Sequence, residues 1–163
     1  MIFAVFLLLA GMSLWFTYGT AGTGFLPGFA RLLDHAEVVG GLRNLLIGRS
    51  FVTGAFRGRK VMVLVQHGNR SRPQMVVVSM ETRAAATMDT YDFAGYRADR
   101  EGELALFALE AKHELVLRLQ DGCLKALWEP LKPLFLPGSF QPAKWQSVLE
   151  AMASLAGSLE RSS

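Results

Sequence analysis

The sequence contains one cysteine, Cys123, so no disulfide bond forms within the chain. None of the three histidines, His35, His67 and His113, has a second histidine or a cysteine at the spacing of a zinc site. The glycines follow neither the three-residue period of collagen nor the spacing of nucleotide-binding loops. The sequence therefore predicts no metal, no cofactor and no catalytic motif.

Charged residues and histidine are absent from residues 1–30. A helix from Ile2 to about Ala21 has roughly 20 residues, and at about 1.5 Å per residue it covers a hydrocarbon core of roughly 30 Å. The few residues of its first part that are not apolar are small: Gly11, Ser13 and Thr17. We expect residues 2–21 to form a transmembrane helix whose partner is the lipid bilayer.

Two other interpretations of this segment stay open. Gly19, Thr20 and Ala21 fit a signal-peptide cleavage site, which would release an exported domain after Ala21, although the usual positively charged start is missing. In the second interpretation, the segment is a buried helix of a soluble domain. Such a helix would have to be surrounded on all sides by the rest of a chain of modest length.

Basic residues follow the apolar segment and do not precede it. The nearest are Arg31 and Arg43, and the positive-inside rule then places the C-terminal domain on the cytoplasmic side of the cell (inner) membrane. Residues 31–83 contain nine Lys or Arg and three Asp or Glu, whereas residues 84–163 contain eight and eleven. The basic half lies beside the predicted anchor.

A basic surface beside an anchor attracts anionic lipid headgroups or a protein partner, although ordinary solvated positions explain the same charges. No nucleic-acid partner is expected, because no basic-aromatic signature accompanies the cations. The candidate contact residues are Arg31, Arg43, Arg57, Arg59, Lys60, Arg70 and Arg72.

The next segment is rich in glycine and threonine, and then carries apolar residues three and four positions apart. This pattern predicts a hinge and an amphipathic helix or helix pair over residues 22–48. Alternating apolar and β-branched residues then predict strands at 51–57, 59–67 and 74–81, with Gly58 in a tight turn and the third strand central.

The second half of the chain contains the clearest hairpin signal, Asp121-Gly122, which predicts a type I′ turn between two strands. A short edge strand at 91–96 and a helix at 101–112 are also predicted. The last helix begins at Pro142, with Glu160 among its outward residues. Its inward residues are Trp145, Val148, Leu149, Met152, Leu155, Ala156 and Leu159.

The predicted fold is α+β: an N-terminal transmembrane helix and a small antiparallel sheet of five or six strands, covered on one face by helices. The predicted division is an anchor at 1–21, the hinge and amphipathic helix at 22–48, and the α+β domain at 49–163. We expect a single-pass membrane-anchored module that binds a partner or lies near lipid, without catalysis.

The alternative is a small hydrolase or transferase that uses the acidic loop at 89–103 with His67 or His113. Cys123 is predicted to be a buried structural thiol, because sequence register places His113 far from it along the hairpin.

Overall fold

The computed structural model describes residues 2–14, 25–39, 49–66, 74–84, 116–130, 134 and 139–162. These residues form an α+β fold with a six-stranded antiparallel sheet, which confirms the predicted α+β class and antiparallel sheet. The helices are α1 (Ile2–Leu14), α2 (Phe25–Ala30) and α3 (Pro142–Ser162). The strands are β1 (Asp34–Val39), β2 (Arg49–Phe56), β3 (Arg59–Gln66), β4 (Met75–Glu81), β5 (Val116–Gln120) and β6 (Cys123–Trp128).

The strand order across the sheet is β1-β2-β3-β4-β6-β5. The predicted third strand is β4, and it lies in the middle of the sheet between β3 and β6. The second hairpin consists of β5 and β6. Its strand β6 pairs with β4, and β5 forms an edge of the sheet.

Both predicted hairpin turns are present as two-residue turns. Arg57 and Gly58 have φ angles of 51° and 74°, and Asp121 and Gly122 have φ angles of 55° and 67°. Two successive positive φ angles define the type I′ turn, whose twist matches that of the flanking strands.

The helix predicted across residues 34–39 is wrong, because these residues form the edge strand β1. Between the pairs Asp34–Ala55 and Glu37–Thr53, two residues of β1 lie opposite Gly54 alone, which makes a β-bulge. His35 has a φ of 50° at this bulge. The three- and four-residue spacing misled the prediction, since β1 is mostly exposed and is held by backbone pairing with β2.

The core lies between one face of the sheet, the inner face, and the helices α2 and α3. All seven inward residues predicted for α3 are buried. The inner-face side chains are Val52, Val61, Val63, Val65, Val76, Val78, Met80, Leu117, Leu119, Leu124, Ala126 and Trp128.

An aromatic cluster joins α2, β6 and α3 at one end of the core. The ring centroids of Phe29 and Trp145 are 4.6 Å apart, and those of Trp128 and Trp145 are 5.1 Å apart in an edge-on arrangement. Phe25 touches both tryptophans and Phe140. Residues from the predicted hinge segment therefore contribute to the core and, through β1, to the sheet.

Other predictions lie outside the described residues. These are the edge strand at 91–96, the helix at 101–112 and the acidic loop at 89–103. Within the described part of the chain, no helix is both long and apolar enough to cross a membrane.

Candidate functional site

Helix α1 differs from the other helices because its apolar side chains are exposed. It has 13 residues, all without charge, and every residue from Ala4 to Gly11 is exposed. Phe6 is 73% exposed and Leu8 is 66% exposed. At about 1.5 Å per residue the helix is about 20 Å long. An uncharged helix with exposed apolar side chains is suited to an apolar surrounding rather than to water.

Three of the candidate basic residues are exposed at turns or in an outward position. Arg31 follows α2 directly, Arg57 occupies the β2–β3 turn, and Lys60 is the second residue of β3. Arg57 lies 3.4 Å from Glu150 of α3, in a pair whose side chains are 62% and 43% exposed. Such an exposed pair contributes little to stability and leaves the guanidinium in contact with solvent. Arg43, Arg70 and Arg72 lie outside the described residues.

Arg59, by contrast, is partly buried and bound to an acidic side chain. Its two terminal nitrogens donate hydrogen bonds to the two carboxylate oxygens of Glu160, at 2.6 and 2.7 Å. Both side chains are less than a quarter exposed. The guanidinium therefore joins β3 to the C-terminal end of α3 in a bidentate pair, and it is not a surface cation.

The Glu160 carboxylate accepts two further hydrogen bonds. The Thr82 hydroxyl donates at 3.1 Å and the backbone N–H of Arg83 donates at 2.9 Å. The hydrogen bond from Arg59, followed by that from Arg83, lowers the pKa of Glu160 to about 2. Glu160 in turn raises the pKa of Arg59. The outward position predicted for Glu160 is corrected, because the carboxylate turns to this cluster.

The alternation of side chains along β3 gives a sequence signal for the Arg59–Glu160 pair. Arg59 alternates in phase with Val61, Val63 and Val65, so it projects from the inner face of β3. An arginine at an inward strand position needs an acidic partner. The partner itself, 101 positions later, is not readable from local sequence.

The nucleophile and histidine candidates do not meet in the described residues. Cys123 is half-buried rather than buried, because it projects from the outer face opposite Glu81 and Gln120. His35 is exposed on β1, and His67 and His113 lie outside the described residues. Within the described ranges, no group of three or more His, Cys, Asp or Glu residues is arranged to hold a metal ion.

The outer face of the sheet, which points away from α2 and α3, carries one continuous row of apolar side chains. We call this the apolar row, and each member is paired in register with the next across all six strands. Its members are Val39, Phe51, Leu64, Val77, Leu127 and Val116. Five are half-buried, and Val116 is 36% exposed.

A solvated face of an antiparallel sheet normally carries polar side chains. The described helices α2 and α3 pack on the inner face, and the apolar side chains of α1 are themselves exposed. Among the described helices, none covers the apolar row. Within the described residues, apolar side chains that are not fully buried therefore occur on two surfaces, α1 and the outer face.

Comparison of the chain with protein-family models, with curated proteins and with solved structures finds no match. Any assignment of function therefore depends on the chemistry of these surfaces.

Proposed function

We propose that the protein is a membrane-anchored α+β module without catalytic activity, in which residues 2–21 insert into a lipid bilayer. The observation that carries this proposal is the exposure of the uncharged α1, in which every residue from Ala4 to Gly11 is exposed. Each exposed Leu, Val or Phe side chain gains about 1.5 to 3 kcal/mol when it leaves water. A bilayer provides that transfer on all sides of a helix at once.

The charge distribution supports an orientation for the module. Arg31, Arg57 and Lys60 are exposed cations, whereas residues 1–30 contain no charge. Cations that follow an apolar segment favour the cytoplasmic side, where anionic headgroups attract each well-placed Lys or Arg by about 1 kcal/mol. Arg59 is not among the cations that we propose contact the headgroups, because its guanidinium is bound to Glu160.

The test is alkaline carbonate extraction of the full chain from cell membranes, followed by intact mass measurement. We expect the uncleaved chain in the membrane pellet. The double variant L7K/L8K places two ammonium groups in α1, at a cost of about 2.5 to 3.5 kcal/mol each near the centre of a span. We expect it to move into the extract.

The matched control is Q146K/S147K, which adds the same two charges to the exposed side of α3 and leaves the chain in the pellet. An uncleaved wild-type chain in the carbonate extract would refute the anchor. A mature mass that lacks residues 1–21 would support the exported form instead.

Protease added to intact spheroplasts reports the orientation, and we expect it to leave the domain uncut.

A further inference from the structure

The start of α2 marks one end of the folded body. Phe25, its first residue, stacks on Trp128 at the end of β6, with ring centroids 6.1 Å apart. Trp145, near the start of α3, lies against Trp128 with ring centroids 5.1 Å apart. We call this the tether end, because α2 is the first described element after α1.

The opposite end of the body, which we call the far end, contains the β2–β3 turn, the β5–β6 turn and the last turn of α3. Arg59, beside the first of these turns, is bound to Glu160 in the last turn of α3. At about 1.5 Å per residue, the helical stretch from Trp145 to Glu160 is about 22 Å long. The tether end and the far end are therefore separated by about this distance.

The length of chain before Phe25 determines which end of the body lies near the bilayer. Under the proposed function, on which this inference rests, residues 2–21 form the span. From residue 21 to Phe25 the extended chain reaches at most about 14 Å, at up to about 3.6 Å per residue. With the far end on the bilayer, Phe25 would stand about 22 Å away, which this link does not span.

The far end carries exposed charges of both signs. Arg57 and Lys60 are exposed there, and so are Glu81 and Asp121. Lys60 and Glu81 lie on the neighbouring strands β3 and β4. Charges of opposite sign that lie close together largely offset one another in the field that an anionic surface exerts on this end.

Two connections between described strands begin and end at the tether end. Residues 40–48 join β1 to β2 and contain Arg43, and residues 67–73 join β3 to β4 and contain Arg70 and Arg72. Neither sequence contains an acidic residue. The sequence therefore gives these two connections a net positive charge, the sign that anionic headgroups attract.

We propose that the tether end faces the bilayer and that the strands and α3 point away from the membrane. The exposed cation Arg57 is then about 20 Å or more from the headgroups, which exceeds the Debye length of about 8 Å at physiological salt. Lys60, beside Glu81, is likewise at the far end. The headgroup contacts of the module are thereby restricted to cations outside the far end.

Helix α3 offers three label positions that measure this orientation. Ala143, Ser154 and Arg161 are exposed. They lie on one side of the helix, because Ser154 and Arg161 follow Ala143 by close to three and five full turns at about 3.6 residues per turn. Along the helix axis, Ser154 is about 17 Å and Arg161 about 27 Å from Ala143. Rotation of the body about this axis therefore moves all three positions together.

The experiment is spin labelling of A143C, S154C and R161C, each in the full chain with C123S, in vesicles of phosphatidylcholine and phosphatidylglycerol. A nickel-chelating lipid places a paramagnetic ion at the headgroups, and power saturation measures its effect on each label. We expect the effect to fall from A143C through S154C to R161C, by about threefold or more over the length of about 27 Å. Zinc, which is diamagnetic, replaces nickel as the control.

Equal nickel effects at the three positions would mean that the body lies on its side, and a reversed order would mean that the far end faces the bilayer. Either result, in a chain that floats with the vesicles, overturns the orientation and leaves the anchor intact. A chain that does not float refutes the anchor, and the orientation with it. Circular dichroism melts show that the labelled variants are folded, and C123A replaces C123S if serine lowers the melting temperature.

Discussion

The position of Glu160 in its helix is unfavourable for a negative charge, and hydrogen bonds from neighbouring residues offset this cost. It lies in the last turn of α3, where the helix dipole disfavours a negative charge. Arg59 from β3, Thr82 and Arg83 from the segment after β4 supply four hydrogen bonds to its two oxygens. One side chain thereby ties the end of α3 to the first hairpin and to the end of the central strand.

Removal of the Glu160 charge is expected to weaken the fold. E160Q leaves the Arg59 guanidinium without its anionic partner, and we expect a loss of about 1 to 3 kcal/mol in the free energy of unfolding. The matched control is E150Q, which breaks the exposed pair with Arg57 and costs less than about 1 kcal/mol. Urea denaturation measures both, and equal losses would contradict the distinct role of Glu160.

The lowered pKa of Glu160 predicts that its contribution to the stability of the fold depends on pH. The folded-state pKa of Glu160 is about 2, below its ordinary value of 4.5, because Arg59 donates hydrogen bonds to the charged form. Its contribution is therefore complete above the unfolded pKa and is lost as the pH falls from there through the folded pKa. We expect the stability difference between wild type and E160Q to shrink over this range. A difference that stays constant from neutral pH to about pH 2 would argue against the assignment.

At the scale of the element, β1 depends on a glycine in its neighbour. A Cβ atom at Gly54 would lie 2.8 Å from the Leu33 Cβ, 3.0 Å from the Asp34 carbonyl oxygen and 3.3 Å from the Ala36 Cα. All three atoms belong to the segment that enters or forms the bulge of β1. The close approach of the two strands therefore requires a residue without a side chain at position 54.

We expect G54A to push β1 away from β2 and to cost about 1 to 3 kcal/mol. Amide hydrogen exchange should accelerate in β1 before it does in β3 and β4. The control is G157A in α3, where the nearest atoms to the new Cβ lie at 3.7 and 3.8 Å. That change should stabilise the protein by about 0.5 to 1 kcal/mol, because alanine favours the helix interior. Unchanged exchange in β1 of G54A would show that the contact is not limiting.

At the scale of the whole molecule, the core and α1 are separable. Phe25, Leu26 and Phe29 are fully buried, while α1 contributes no residue to the core described here. The described core therefore includes residues of α2, and β1 is paired with β2 in the sheet.

A chain that lacks residues 1–24 is expected to keep the melting temperature of the full chain and to need no detergent. A chain that lacks residues 1–33 loses Phe25, Leu26, Phe29 and Leu33 from the core and should not fold. Each of these side chains contributes about 1.5 to 3 kcal/mol, against a total stability of about 5 to 15 kcal/mol. Circular dichroism melts measure both chains. A cooperative transition in the shorter one would place the start of the domain after residue 33.

Local sequence determined the parts of this fold in which neighbours along the chain decide the outcome. Gly58 and Asp121-Gly122 specified the two hairpins through their left-handed φ angles, and the apolar stripe from Trp145 to Leu159 specified α3. The inward phase of Val61, Val63 and Val65 likewise follows from alternation.

The tertiary structure alone decided how distant segments pair. Residues 34–39 became a strand because the edge of β2 offered unpaired backbone groups, although their side-chain spacing fits a helix. Glu160 became a partly buried link between α3 and the sheet because Arg59 comes within hydrogen-bonding distance of it. The insertion of β6 beside β4 aligned the apolar row on the outer face. Local periodicity specifies which way a side chain points, but only the assembled sheet determines what it meets.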